Sequence, residues 1–146
     1  MGSARTDGAT RVIDAKKSAG WMIHLDTSFL IRALARNSLE DLKLREWLLG
    51  GISLGISSIS WAEFLCGPIE PHHVELAARI VQDRVPFVAE DAELSARLYN
   101  LSGRRRGSLI DRMIAATALR VGASLAAENL ADFRRLESAG LRIVAT

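Results

Sequence analysis

One cysteine in 146 residues, Cys66, leaves no disulfide framework to hold the chain. A lone thiol fits a reducing compartment. Three prolines and eleven glycines are too few for a collagen-like or low-complexity chain. No long apolar run is present. The longest uncharged stretch, Trp47 to Ala62, is broken by Gly50, Gly51 and Gly55 and by Ser53, Ser57, Ser58 and Ser60, whereas a membrane-spanning helix takes about 20 mostly apolar residues. The basic residues Arg5, Arg11, Lys16 and Lys17 are not followed by the apolar segment of a secretion signal, so a cytoplasmic location is expected. No Gly-rich phosphate loop of the Walker or Rossmann kind appears, which disfavours a nucleotide-cofactor enzyme.

What is present suits one folded domain. Apolar residues make up 49% and net charge is only +2, so disorder is excluded as the main content. A chain of this length buries ~70% of its unfolded surface. The sequence pI of 9.1 is not a property of the body. Residues 1–20 carry four Lys/Arg against two Asp, and residues 21–146 carry fifteen of each sign. Residues 1–20 are expected to form a flexible leader, and residues 21–146 the domain.

The domain alternates strand-like and helix-like pieces. Strands are expected at Trp21–Leu25, Ile52–Ile59, Val85–Val88, Ala123–Ala127 and Leu141–Ala145. Helices are expected at Thr27–Ala35, Ser38–Leu49, Trp61–Cys66, Pro71–Asp83, Asp91–Leu101, Leu109–Val121 and Leu130–Ala139, with breakers at Gly50-Gly51 and Gly67-Pro68. Strands separated by helices imply crossover connections. The expected fold is therefore α/β: a three-layer α/β/α sandwich on a parallel sheet of four or five strands. Ligands of such sheets bind beyond the carboxyl ends of the strands.

Four carboxylates are placed to meet there. Asp26 ends the first strand; Glu63 and Asp132 follow later strands; Asp111 opens the helix that leads into the fourth. Ser60-x-x-Glu63, Ser108-x-x-Asp111 and Asn129-x-x-Asp132 each also fit a capping box, a purely structural use of the acid. Together, however, clustered carboxylates repel unless a cation sits among them. An oxygen-only ligand set suits Mg²⁺ or Mn²⁺, and such ions support phosphoryl-type chemistry.

The segments MIHLDTSFLIRAL, SSISWAEFLCG, SLIDRMIAATALRVGASL and AENLADF resemble, in order, the four acidic motifs of PIN-domain nucleases, in particular the VapC-type toxins of bacterial toxin–antitoxin pairs. The resemblance runs from about Trp21 to the C-terminus. It implies a PIN-like parallel α/β/α fold, Mg²⁺- or Mn²⁺-dependent endoribonuclease activity, a homodimer, and inhibition by a cognate antitoxin. It also implies catalytic and metal-binding roles for Asp26, Glu63, Asp111 and Asp132. Thr27, Ser28 and Asn129 are implied as supporting residues. The chain departs from the family pattern just before Asn129, where Ala127 and Glu128 stand in place of a Thr and a basic or polar residue.

Arg104, Arg105 and Arg106, with Arg112 one turn into the next helix, form the densest basic cluster. It is either a solvated loop or a site of phosphate-backbone capture on RNA. Trp47 and Trp61 are expected in the core or at a dimer contact, His24 in the core, and Cys66 as a buried thiol. His72-His73 has no partner at metal-ligand spacing. Two other enzyme classes with an acid at the first strand end, an Asp-nucleophile phosphatase and a signalling receiver domain, are disfavoured. Ser28 stands where the phosphatase needs a second Asp, and no lysine follows Lys43. A PIN-like binding module without activity is the remaining alternative.

Overall fold

The computed structural model describes residues 22–102, 109–128 and 130–144. Five strands form one fully parallel sheet: β1 (Met22–Leu25), β2 (Ser53–Ser57), β3 (Asp83–Val85), β4 (Ser124–Ala126) and β5 (Ile143–Val144). The spatial order is β3-β2-β1-β4-β5. The helices are α1 (Thr27–Ala33), α2 (Leu39–Leu49), α3 (Ser58–Cys66), α4 (Pro71–Ile80), α5 (Ala89–Leu101), α6 (Leu109–Val121) and α7 (Ala131–Arg134), with a 3₁₀ turn at Glu137–Ala139. Strands β1 to β3 run to one side, and β4 returns to the other side of β1. Right-handed crossovers therefore put the two sets of helices on opposite faces. One core gathers Ile23, Leu25, Phe29, Leu44, Trp47 and Phe64; the other gathers Leu98, Ile114, Leu125 and Phe133. The alternation along β1 divides its side chains between them.

Several boundaries differ from the sequence reading, each for a local reason. The third strand ends at Val85 rather than beginning there, because Pro86 has no N–H to continue the ladder. The second strand stops at Ser57, whose hydroxyl accepts from the Ser60 amide and starts α3 at Ser58. Helix α4 ends at Ile80, because Val81 leaves the helical region (φ −103°, ψ 71°). The last expected helix splits in two, and Gly140 closes the second piece in the left-handed region at φ 103°.

His24 is in the core, 1% exposed, on the face turned to α5 and α6. Beside it, a Cβ at Gly55 would lie 3.2 Å from the His24 ring and 2.9 Å from the Asp83 carbonyl. That space explains a glycine in a strand interior. Trp47 is likewise in the core, stacked on Phe29 at 5.5 Å. Trp61 is half-buried against Phe64, with the Arg84 guanidinium over its ring. Cys66 corrects the expectation of a buried thiol: it is exposed. Ser60 and Phe64 mark the buried stripe of α3, and Cys66, two residues past Phe64, points about 200° away from it. Among the described residues no helix is long and apolar enough to cross a membrane. The expected leader, residues 1–20, lies outside the described residues.

Candidate active site

The strand order reverses between β1 and β4, and a crevice is expected beyond the carboxyl ends at such a point. Asp26 stands there. Its amide donates to the Ala126 carbonyl of the neighbouring strand end at 2.8 Å, and it takes the N-cap position of α1. Its carboxylate is 9% exposed. One oxygen accepts from Ser28 Oγ at 2.9 Å, and the other lies 3.5 Å from Ser60 Oγ. Burial holds the Asp26 carboxyl above the usual range, and these hydroxyls with the Thr27 and Ser28 amides pull the other way.

Thr27 connects the first acid to the second. Its hydroxyl lies 3.0 Å from both the Ser60 carbonyl and Glu63 Oε1. Glu63 is exposed on α3. The cap of that helix is Ser57, so the expected Ser60–Glu63 capping box does not form. The Glu63 carboxylate is therefore not spent on the structural role that its spacing suggested. The N-cap of α7 is Leu130, and the Asn129 end of the third expected capping box lies outside the described residues.

Asp111, half-buried in the first turn of α6, reports on all of them. Its carboxyl is pushed up to about 6, first by burial, then by the charges of Asp132, Asp26 and Glu63, with Arg112 opposing. Three acids from three other segments therefore bear on one carboxylate. The four offer hard oxygen donors with no His or Cys among them, a set whose chemistry fits Mg²⁺ or Mn²⁺. Among the described residues no three of them are drawn into a closed metal cage. The donor set and the mutual repulsion carry the fit.

Ser28 also ties in the loop after β4, since its hydroxyl accepts from the Glu128 amide at 3.3 Å. Sequence reasoning named Ser28 but missed Ser60. No spacing rule reveals that a serine one turn before Glu63 turns its hydroxyl to Asp26. Arg112 corrects the grouping of four arginines. It is 2% exposed, and its guanidinium donates to Ser102 Oγ at 2.6 and 3.0 Å. A side chain so buried joins α6 to the end of α5 and does not face incoming RNA. Arg104, Arg105, Arg106 and Asn129 lie outside the described residues. His72 and His73 stack on each other at 4.2 Å and belong to no metal-binding group among the described residues.

The half-buried Asp111 and the buried His24 give opposite pH dependences. The raised Asp111 carboxyl means that the native state holds a proton that the unfolded chain has lost. Its effect is stabilising at low pH and disappears as pH rises from about 4 through about 6. His24 is pushed down to about 4, chiefly by burial. The native state keeps it neutral, so stability is lost as pH falls from about 6.5 to 4. In EDTA the two partly cancel. Asp111→Asn removes the first, so its melting temperature should fall more steeply on acidification than that of the unmodified protein. Parallel melting-temperature profiles would contradict the assignment.

The comparisons with known proteins agree with this layout. A chain of VapBC2 from Rickettsia felis, bound to a promoter DNA fragment, superposes with a TM-score of 0.68 at 20% identity, covering 84% of this chain and 97% of that one. VapBC-1 from nontypeable Haemophilus influenzae gives 0.64 at 22%, over 84% and 96%. Mycobacterium tuberculosis VapC20, described as a Sarcin-Ricin loop cleaving toxin, gives 0.61 at 16%, over 84% and 98%. At these identities the likeness is one of fold. No curated protein sequence matches. The PIN-domain family model matches residues 23–138, the span that holds all four acids, and the chain belongs to the PIN-domain family.

Proposed function

We propose that the protein is a Mg²⁺- or Mn²⁺-dependent endoribonuclease and the toxin half of a toxin–antitoxin pair. One observation carries the reading: at the switch point of the sheet the Asp111 carboxyl is raised first by burial and then by the charges of Asp132, Asp26 and Glu63. Asp26, Glu63, Asp111 and Asp132 would hold the cation. A cation held there would supply an activated water as nucleophile and charge to offset that on the leaving oxygen. The chain's own residues do the positioning. Ser28 and Ser60 fix the two oxygens of Asp26, and Thr27 holds Glu63 Oε1. Burial of Asp26 and Asp111 keeps bulk water from screening their charge.

The experiment is cleavage of RNA by the purified protein with Mg²⁺ or Mn²⁺ and with EDTA. Cleavage confined to the metal arms is expected. Cleavage unaffected by EDTA, or none in any arm, would refute the reading.

The antitoxin would bind the face formed by α1, α2 and α4. A groove there is lined by Leu34, Leu44, Leu48, Leu76 and Ile80, with Arg36, Asp41 and Arg45 on its rim. Leu48 and Leu76 of this lining are exposed. An apolar groove with a charged rim suits the apolar face of a partner helix. Solved relatives described as toxin–antitoxin complexes support such a partner. Leu76→Glu should weaken inhibition by the antitoxin about tenfold or more and leave cleavage unchanged. An inhibition titration with an undiminished endpoint and midpoint would place the antitoxin elsewhere. A homodimer is part of the same reading.

A further inference from the structure

Arg32, near the end of α1, bridges two carboxylates of different character. Its Nε lies 3.7 Å from Glu40 Oε1 at the start of α2, and its Nη1 lies 3.4 Å from Glu128 Oε2 in the loop after β4. Glu40 is buried, and its Oε1 has no hydrogen bond among the described residues. It is a fixed counter-charge that keeps Arg32 in place. Glu128 is 43% exposed in its side chain and Arg32 56%, so their mutual hold is the weak one of a solvated ion pair. The main chain of Glu128 is nonetheless anchored at the acidic site. Its amide donates to Ser28 Oγ, which donates to Asp26 Oδ2.

The pair thus stands beside the mouth of a cluster that repels polyanions. Arg112, the cation that bears on Asp111, is buried on Ser102, whereas the Arg32 guanidinium is open to solvent. A guanidinium takes a phosphate in the bidentate manner in which it takes a carboxylate. Glu128 therefore stands at Nη1, a donor that a phosphate would use.

We propose that Arg32 binds a phosphate of the RNA at the rim of the site, and that Glu128 is its built-in competitor, displaced by that phosphate and so limiting how tightly RNA is held. This rests on the RNA-cleaving reading above. A pair that only clasps the loop to α1 would lose function whichever partner is removed. A competitor gives effects of opposite sign.

The test measures KM and kcat for a fluorescent single-stranded oligoribonucleotide over a range of KCl. It also measures Kd for the same oligonucleotide by anisotropy, with Ca²⁺ in place of Mg²⁺. Arg32→Gln should raise KM and Kd about tenfold or more and reduce the log–log salt slope by roughly 0.7, with kcat little changed. Arg32→Lys, which keeps the charge beside Glu40 but not the two-pronged donor, should restore the salt slope and only part of the affinity. Glu128→Gln should lower KM and Kd about two- to fivefold. In the double variant Arg32→Gln with Glu128→Gln, the values should match Arg32→Gln alone, because Glu128 acts through Arg32. Weakening by both single variants, or additive effects in the double variant, would overturn the competitor role and leave the nuclease reading standing. The expected Kd pattern without any cleavage would keep Arg32 and Glu128 in their roles and overturn the nuclease reading. Absence of both binding and cleavage would overturn both.

Discussion

Asp26→Asn should abolish RNA cleavage without unfolding the protein. Loss of a hydrogen-bonding partner behind a metal ligand costs 10- to 100-fold, so loss of the ligand charge itself should cost at least about 100-fold. The fold should tolerate the change. Burial already disfavours the Asp26 carboxylate, and a neutral amide of the same shape can still accept from Ser28 Oγ, which now donates at 2.9 Å. In EDTA its melting temperature should equal or exceed that of the unmodified protein, since one repelling charge has left the cluster. Added Mg²⁺ should stabilise the unmodified protein more than the variant. Cleavage at a near-normal rate by folded Asp26→Asn would remove Asp26 from the site.

The largest stability loss should follow a change far from the chemistry. Asp91 on α5 is fully buried. One oxygen accepts from Arg120 Nε at 2.7 Å, and the other from the Val88 amide at 3.1 Å and Thr117 Oγ1 at 3.2 Å. Arg120 in turn donates to the Pro86 carbonyl at 2.9 Å. One carboxylate therefore ties the β3–α5 loop, α5 and α6 together. Asp91→Ala removes the acceptor of the Val88 amide and the counter-charge of Arg120. Because the Arg120 side chain is 32% exposed and Thr117 keeps the Met113 carbonyl, the loss falls at the lower end of the buried-pair range, about 3 kcal/mol. For a chain of this size that is about 10 °C in melting temperature. Chemical denaturation would measure it. A loss under about 1 kcal/mol would mean that water or neighbouring groups replace the carboxylate.

Much of this architecture was legible in the sequence because its signals are local and periodic. Short apolar runs separated by amphipathic stretches led to a parallel sheet, and the sheet led to one edge for Asp26, Glu63, Asp111 and Asp132. The five-stranded parallel sheet bears out the fold. Legibility failed where a residue's role depends on what folds against it. Ser60-x-x-Glu63 has the spacing of a capping box, yet Ser57 caps the helix and Ser60 turns to Asp26. Arg112 reads as one of a basic cluster, yet its guanidinium is buried on Ser102. Asp91 carries no motif at all, because its partners lie on two distant parts of the chain, Val88 before α5 and Thr117 and Arg120 on α6. Cys66 was misjudged because the phase of a short helix is not fixed until its buried stripe is known.

The account's central claim is that four carboxylates from four segments form one cation site. Binding of Mn²⁺ to the purified protein, followed by calorimetry near pH 7.5, tests it most directly. Above its raised pKa of about 6 Asp111 is charged, and at least one Mn²⁺ per chain is expected to bind. Sharp weakening of that binding is expected in each of Asp26→Asn, Glu63→Gln and Asp111→Asn, and weaker binding at pH 5 as Asp111 takes up its proton. Absence of Mn²⁺ binding, or binding that survives all three substitutions unchanged, would contradict the claim.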